Sequence, residues 1–232
     1  MCIRDRDVLG AGLRIARLGR GPAEGAMSAA YVRTLFDQYA DRFDTALRDK
    51  LGYRGPELLF RAFGEVAGPE RRFRHGLDLG CGTGLAAPLF APRVEALDGV
   101  DLSPAMLAKA QALGLYRHLV AADMGAALGQ AAPGSLDLIL AADALCYVAE
   151  LPPLFAAAAR ALAPDGLFAF TVETHDAPGV LLRETLRYAH APQLVQAAAQ
   201  AAGLSLRLLE PASTRTEKGV PVPGLVAVAA PA

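Results

Sequence analysis

Residues 77–85 read LDLGCGTGL, and this stretch decides how the rest of the chain is interpreted. Three glycines, Gly80, Gly82 and Gly84, occupy alternate positions directly after a short apolar run that contains Asp78. Glycine has no Cβ, so it permits a tight turn and lets a bound molecule contact the main chain. The stretch therefore predicts a β-strand that ends in a ligand-binding turn.

The spacing of these glycines helps to separate possible ligands. A dinucleotide-binding loop follows the pattern GxGxxG. Counting from Gly80, the sixth position is Leu85 rather than glycine, which disfavours a nicotinamide cofactor. A tight turn without any ligand is the structural alternative for a glycine loop that stands alone.

Short apolar runs alternate with helical segments from residue 73 onward, and the runs lack strict alternation. This pattern is typical of parallel strands covered by helices on both faces. We predict an α/β fold that is Rossmann-like and doubly wound, with a mainly parallel seven-stranded sheet whose last strand is antiparallel. A helix beginning after Ser103 and ending before Gly114, an irregular stretch after residue 122 and a last helix over roughly residues 179–202 complete the prediction.

Carboxylates follow the ends of the next three predicted strands, at Asp101, Asp123 and Asp143. In open α/β sheets the ligand lies outside the carboxyl ends of the strands, where the strand order reverses. Asp101 comes 23 residues after Asp78, where an acid can accept both hydroxyls of a ribose. Four successive strand ends with an acid predict the rim of one pocket.

The DxGxGxG pattern of residues 78–84, together with these acids, resembles the class I S-adenosylmethionine-dependent methyltransferases over roughly residues 73–174. The resemblance implies S-adenosylmethionine as cofactor. It places Asp123 at the adenine amino group, the Met124 amide at a ring nitrogen and Asp143 at the methionine end. It also assigns three motif neighbours to cofactor binding: Cys81, Leu102 and Met106.

Segments outside this core resemble bacterial methyltransferases that are often predicted to carry tetratricopeptide repeats ahead of the catalytic domain; they read YVRTLFDQYADRFD, LGYRGPELL, RYAH and GVPVPGLVAV. The resemblance implies that residues 7–27 are the remnant of a repeat region. It also implies that the helix carrying Tyr39 lies over the cofactor as a lid and that Arg54 clamps the cofactor carboxylate. Core packing for Tyr39 and a surface position for Arg54 are the alternatives.

The methyl acceptor is less defined by the sequence. AADALCY follows the fourth strand in place of the Asn/Asp-Pro-Pro-aromatic run of many methyltransferases that modify nucleobase or glutamine amino groups, which argues against those acceptors. An oxygen acceptor would need a general base, and histidine is the usual one near neutral pH. His175 and the pair His190 and Tyr188 are the candidate catalytic residues, with plain loop or structural roles as the alternatives.

The bulk composition excludes several classes of partner. The formal net charge is −1 and no basic cluster is extensive, so we expect neither nucleic acid nor an anionic membrane surface as partner. Three scattered cysteines give neither a disulfide framework nor a metal cage, so no metal is expected. With no signal peptide or apolar span in the sequence, we expect a cytoplasmic protein.

We expect three regions along the chain. Residues 1–27 combine MCIRDR, which resembles the translated end of a sequencing adaptor, with a linker or truncated repeat. Residues 28–72 form a helical lid and residues 73–232 the methyltransferase domain. The expected function is methyl transfer from S-adenosylmethionine to an unidentified small-molecule or protein acceptor. A non-enzymatic scaffold is the alternative, and an NAD-dependent oxidoreductase is a weaker one.

Overall fold

A computed structural model describes residues 7–23 and 25–232, apart from the side chains of residues 48–50, so the adaptor-like residues 1–6 lie outside the described residues. The described part contains these helices: α1 (Ala11–Arg17), α2 (Ala29–Tyr39), α3 (Phe43–Leu51), α4 (Gly55–Ala67), α5 (Ala87–Phe90), α6 (Pro104–Ala112), α7 (Met124–Gln130), α8 (Leu151–Ala161) and α9 (Pro192–Ala201). It contains these strands: β1 (Phe73–Leu79), β2 (Val94–Asp101), β3 (His118–Ala121), β4 (Leu136–Ala141), β5 (Leu162–Thr174), β6 (Val180–Leu182), β7 (Tyr188–His190), β8 (Leu204–Ala212), β9 (Thr216–Glu217), β10 (Val220–Pro221) and β11 (Gly224–Pro231).

The main sheet of the described residues has nine strands, seven of them in the order β3-β2-β1-β4-β5-β11-β8, while β7 pairs with β5 beside this row and β6 pairs with β7. The strands β1 to β5 pair in parallel, whereas β11 runs antiparallel to both of its neighbours, β5 and β8. The predicted doubly wound sheet with an antiparallel last strand is therefore confirmed. Strand order reverses between β1 and β4, which is where ligands bind in this kind of sheet.

The sheet is covered on both faces, which explains why its strands lack a strict alternation of polar and apolar residues. On β4, Ile139 packs with residues of α7, α8 and α9, while Leu138 and Leu140 pack with residues of α4, α5 and α6. Successive side chains of a strand point to opposite faces, so two separate apolar cores require an uninterrupted apolar run. No helix in the described ranges is long and apolar enough to cross a bilayer.

The start and stop signals of α6 are confirmed. The Ser103 hydroxyl accepts the Met106 N–H at 3.1 Å, and Gly114 takes a left-handed φ of 65° just past the helix. A serine cap satisfies one of the unpaired N–H groups at a helix start. This fixes α6 directly after Asp101, at the edge of the sheet where β2 ends.

Two sequence predictions were wrong. The stretch after residue 122 is not irregular but forms α7, because the Asp123 carboxylate caps it by accepting the Ala126 N–H at 3.1 Å. The last helix begins only at Pro192, and the preceding residues form the β6–β7 hairpin. In that hairpin β7 pairs in parallel with the end of β5, with Thr174 opposite His190, so long-range pairing overrides the helical pattern.

The N-terminal segment packs on the rest of the chain. A small apolar cluster holds Leu13 of α1 against Tyr188 of β7. The Tyr188 hydroxyl donates to the Ala23 carbonyl at 2.6 Å and accepts the Met27 N–H at 3.2 Å. These contacts fix the entry to α2, and α3 follows after a short 3-10 turn at Ala40–Arg42.

Candidate active site

A cavity opens at the carboxyl ends of β1, β2 and β4, below α2 and α3. We call it the glycine-loop cavity, and its lining residues are Met27, Ser28, Ala29, Val32, Phe36, Phe43, Leu47, Tyr53, Pro56, Asp78, Gly80, Cys81, Gly82, Thr83, Leu85, Ala86, Asp101, Leu102, Ala122, Asp123, Met124, Ala142, Asp143, Ala144, Tyr147, Val148 and Arg187. Two of the three loop glycines and all four strand-end acids therefore border the same cavity.

The glycines of the loop have different neighbours. All three have positive φ, and a Cβ on Gly84 would lie 2.7 Å from the Leu113 side chain. A Cβ on Gly82 would meet nothing closer than Phe43, 3.9 Å away, in the cavity. Gly84 thus permits close packing, whereas Gly82 presents bare main chain to the cavity. Gly80 lines the cavity and also packs closely, because an added Cβ there would lie 2.7 Å from the Cβ of Ala144.

Asp101 connects this loop to the next strand. One carboxylate oxygen accepts the Gly82 N–H at 2.9 Å and the other accepts the Ser103 N–H at 2.8 Å. Burial raises the pKa of the carboxyl above its ordinary value, although these backbone N–H groups act in the opposite direction. Each carboxylate oxygen has two lone pairs, so Asp101 keeps acceptor capacity for a ligand in the cavity that it lines.

Asp78 occupies the floor of the cavity and is 1% exposed. The Tyr116 hydroxyl donates to its carboxylate at 2.7 Å. Burial raises the pKa of Asp78 to about 6, because the charged form loses its water. Asp78 therefore titrates close to neutral pH.

Asp143 has an unusual backbone, with a φ of 54° in the left-handed region. Residues other than glycine rarely adopt this conformation, and it persists where the surroundings support it. Its N–H donates to the Thr171 hydroxyl, and the Thr214 hydroxyl donates to its carboxylate, both at 2.8 Å. The strain turns the chain after β4 so that Asp143 and Ala144 both border the cavity.

The charge around the cavity is negative. Four carboxylates line it, those of Asp78, Asp101, Asp123 and Asp143, and Arg187 is the one cationic side chain among its described lining residues. Opposite charges attract more strongly where water is excluded. Such a cavity favours a ligand with positive charge.

Of the three motif neighbours predicted for cofactor binding, Cys81 and Leu102 line the cavity. Met124, predicted to lie at an adenine ring nitrogen, lines it as well. Met106 does not, since it is fully buried in α6. Arg54 is an exposed residue that precedes α4 and donates to the Ser213 carbonyl at 3.2 Å, so the structure does not bring it to the cavity. Its N–H donates to the Thr214 carbonyl at 2.8 Å, so both the backbone and the side chain of Arg54 are held by the segment 213–214.

The three candidate catalytic residues also lie away from the lining. His190 is fully buried and shares a hydrogen bond with the Val148 carbonyl at 2.9 Å, while burial lowers its pKa to about 4. Tyr188 binds the N-terminal segment, and His175 contacts the Gly179 carbonyl at 3.1 Å. Because β7 is part of the sheet, Tyr188 and His190 are enclosed by neighbouring elements, whereas His175 lies half-buried in the turn after β5.

A second cavity adjoins the first. We call it the aromatic chamber, and its lining residues are Tyr31, Leu35, Phe36, Tyr39, Phe43, Leu47, Leu51, Tyr147, Thr185, Leu186, Arg187, Arg215 and Glu217. Phe36 makes edge-to-face contacts with Phe43 and Tyr147, with ring centroids 5.8 and 5.3 Å apart. The predicted lid residue Tyr39 borders this chamber rather than the glycine-loop cavity.

Sequence reasoning missed Arg187 and Tyr53 as site residues. Arg187 belongs to the RYAH segment, whose resemblance drew attention to the neighbouring tyrosine and histidine, and its position depends on the unforeseen β6–β7 hairpin. Tyr53 stands in the break before α4, beside Arg54, and lines the cavity where Arg54 does not. The LGYRGPELL segment contained both residues but gave no signal to choose between them.

Known proteins share this architecture. Residues 77–170 match the family model described as a methyltransferase domain. Human methyltransferase-like protein 27 is 32% identical over 154 residues, which are 66% of this chain and 62% of that protein. Trans-aconitate 2-methyltransferase of Acidovorax sp. (strain JS42) is 39% identical over 136 residues, 56% of this chain and 52% of that protein. The chain thus spans 52 to 62% of the length of these curated relatives.

Solved structures with the same fold include the 1,6-didemethyltoxoflavin-N1-methyltransferase of Burkholderia thailandensis, crystallised with its namesake compound and S-adenosylhomocysteine. It is 19% identical, with a TM-score of 0.69 and 88% of each chain covered. The [4+2]-cyclase SpnF, 17% identical, has a TM-score of 0.67 over 88% of this chain and 96% of its own. Family match, relatives and fold agree with the acidic glycine-loop cavity: residues 77–170 carry a methyltransferase domain, in a chain that shares the fold of S-adenosylmethionine-dependent methyltransferases.

Proposed function

We propose that this chain binds S-adenosylmethionine in the glycine-loop cavity and transfers its methyl group to a small molecule in the aromatic chamber. The observation that carries this proposal is the bare main chain of Gly82, held by Asp101, in a cavity with four carboxylates. This donor set suits a cationic adenosyl compound whose ribose needs an acceptor.

Individual residues would hold different parts of the cofactor. Asp101 would accept the ribose hydroxyls, Asp123 and Met124 would border the adenine, and Asp143 would face the methionine end. When bound, the cofactor supplies a methyl group already activated on a sulfonium. What remains for the protein is alignment and exclusion of water, and such positioning is worth about 7 to 11 kcal/mol.

A small-molecule acceptor fits the geometry better than a protein. The aromatic chamber adjoins the glycine-loop cavity below α2 and α3, and rings of Phe36, Phe43 and Tyr147 separate the two spaces. A compact small molecule can enter such a space, whereas a folded surface cannot. Since a relative is named trans-aconitate 2-methyltransferase, trans-aconitate is the first acceptor to test.

A non-enzymatic or different catalytic role is the second candidate. The structural similarity to a [4+2]-cyclase favours it, because that likeness shows that this fold also occurs in a protein named for another reaction. The open cavity argues against a purely structural role. No described side chain fills the space beside Gly82, where the nearest atom to an added Cβ would be on Phe43, 3.9 Å away.

Calorimetric titration of the purified chain with S-adenosylmethionine, S-adenosylhomocysteine and NADH tests the proposal. We expect micromolar binding of the first two and none of NADH. The second step is an assay for S-adenosylhomocysteine formation with trans-aconitate and with a deproteinised bacterial extract. Binding without any turnover would favour the scaffold or cyclase reading, and binding of NADH alone would favour an oxidoreductase.

We also propose that the chain works in a reducing compartment such as the cytoplasm. Cys81 and Cys146 are both buried free thiols. Secreted proteins of this size commonly pair their cysteines.

A further inference from the structure

Resting on the proposed function, we infer that the methyl acceptor is a small carboxylate anion, that Arg187 binds it, and that the methyl group goes to a carboxylate oxygen. The inference starts from the junction of the two cavities. The lining residues they share are Phe36, Phe43, Leu47, Tyr147 and Arg187. Among these, Arg187 is the charged one.

The guanidinium of Arg187 is held in place before any ligand arrives. It stacks on the Tyr147 ring, with the guanidinium carbon 5.3 Å from the ring centroid. Its backbone closes the β6–β7 turn, where the Arg187 carbonyl accepts the Arg183 N–H at 2.8 Å. Arginine is a planar donor that fits a carboxylate with two parallel hydrogen bonds, and a preorganised side chain loses little entropy on binding.

Arg187 also lacks a short hydrogen bond to any of the described carboxylates around it. Glu173, 4% exposed, lies between three guanidinium groups: 2.9 Å from Arg215, 3.3 Å from Arg183 and 3.5 Å from Arg187. Arg215 has a second carboxylate partner, Glu217, at 2.5 Å from its guanidinium. Three cations therefore share two glutamates, and Arg187 has the longest contact with Glu173.

Asp143 is the remaining carboxylate that acts on Arg187 electrostatically. Its Oδ1 atom accepts hydrogen bonds from the Thr214 and Thr171 hydroxyls at 2.8 and 3.3 Å, so it is oriented by them. Among the described side chains, the guanidinium of Arg187 donates a hydrogen bond to Glu173 alone, and at 3.5 Å that bond is long. An anionic group at the junction would give this guanidinium the short bidentate partner that it lacks.

The described side chains that the two cavities share offer no general base, which favours an acceptor that needs none. Over the described residues of both cavities, no histidine or lysine takes part in the lining. Tyr147 and Tyr53 have pKa values raised by burial, and Glu217 is paired with Arg215. A carboxylic acid has a pKa near about 4, so it is already an anion at neutral pH.

Transfer to a carboxylate balances without a proton. A lone pair of the carboxylate oxygen forms the new O–CH3 bond while the bond between the methyl carbon and sulfur breaks. The electron pair of that bond stays on sulfur. The products are a methyl ester and neutral S-adenosylhomocysteine.

The test uses the full chain and the chemistry of the product. S-adenosylmethionine with a tritiated methyl group is incubated with the protein and trans-aconitate, and separately with a deproteinised bacterial extract. Mild alkali releases the label of a methyl ester as volatile methanol, whereas N-methyl and ether products keep theirs. Three variants are compared: Arg187→Met, Arg187→Lys and, as matched control, Arg183→Met, which loses a guanidinium near the same glutamate but lines neither cavity.

We expect alkali-volatile label in the small-molecule fraction with the wild type and with Arg183→Met. Arg187→Met should lower kcat/KM at least about 100-fold, because it removes two hydrogen bonds to a charged group, and Arg187→Lys should recover part of the loss. All variants should bind S-adenosylhomocysteine like the wild type, which shows that they are folded. Label that resists alkali, or undiminished labelling by Arg187→Met, overturns the inference but leaves methyl transfer standing. Absence of any labelled product overturns both.

Discussion

The carboxylate of Asp101 accepts the main-chain N–H of Gly82 at 2.9 Å, so the end of β2 holds the glycine loop that follows β1. Its second oxygen accepts the Ser103 N–H and thereby orders the start of α6. One side chain thus connects two strand ends and a helix on the wall of the cavity. The loop conformation that exposes Gly82 depends on this acid.

Asp101→Ala should weaken S-adenosylmethionine binding at least about 100-fold, since each hydrogen bond to a charged group contributes about 1.5 to 3 kcal/mol and a ribose offers two hydroxyls. Calorimetric titration with the cofactor and with S-adenosylhomocysteine measures this loss. Asp98→Ala is the matched control, because Asp98 lies on the same strand but pairs with His75 and Arg117 at the opposite edge. Equal affinities for Asp101→Ala and the wild type would contradict the assignment.

Alanine at Gly82 and at Gly84 should have different consequences. Both residues have positive φ, so each substitution costs about 1 to 2 kcal/mol of backbone strain. At Gly84 the new methyl group would also collide with Leu113, 2.7 Å away, so the melting temperature should fall further. At Gly82 the methyl group enters the cavity, so cofactor affinity should fall more than stability.

The comparison needs calorimetric affinity and thermal unfolding on both variants. If Gly82→Ala bound the cofactor as tightly as the wild type, the main chain there could not be in contact with the ligand.

Asp78→Asn should stabilise the free protein at neutral pH. The pKa of Asp78 is raised by burial from 3.8 to about 6, so folding takes up a proton between these values and the wild type loses stability as pH rises through them. The uncharged amide avoids this loss. The difference in unfolding free energy should be near zero below pH 4 and reach about 3 kcal/mol above pH 6.

Urea unfolding of both proteins between pH 3.5 and 8 measures this difference, and Tyr116→Phe provides a control. Removing the hydroxyl that donates to the carboxylate should raise the pKa of Asp78 further, so in Tyr116→Phe the loss of stability should extend to higher pH than in the wild type. A constant offset between Asp78→Asn and wild type across this range would contradict the raised pKa, because it would show that folding leaves the pKa of Asp78 unchanged.

His190→Gln should leave methyl transfer intact in the folded protein, because His190 does not line the cavity. Burial lowers its pKa to about 4, so the neutral ring is the folded form and the wild type loses stability as pH falls from 6.5 towards 4. The variant should lack this acid sensitivity, which amounts to about 3 kcal/mol. Loss of kcat with unchanged cofactor affinity would restore His190 as a catalytic candidate.

Much of the fold was predictable because its signals are local. The five parallel strands are short, mainly apolar runs bounded by turn residues. Ser103 and Pro104 mark the start of α6, and Gly114 marks its end. The acids at the strand ends were predictable too, because parallel strands bring their carboxyl ends to one edge.

The acceptor side was not predictable, because it depends on long-range pairing. The segment 179–190 has a helical composition, yet it forms a hairpin against the distant strand β5. That hairpin encloses His190 and brings Arg187 to the junction of the two cavities. The spacing of apolar residues within the segment could not reveal the hairpin, because its pairing partner is the end of β5 near Thr174 rather than a neighbouring residue of the same segment.

A crystal structure of the chain with S-adenosylhomocysteine tests the central claim most directly. The account predicts the ribose hydroxyls at Asp101, the adenine beside Asp123 and Met124, and the amino-acid portion against Gly80 and Gly82. A glycine-loop cavity that stays empty at saturating ligand, or a ligand bound elsewhere on the chain, would contradict it.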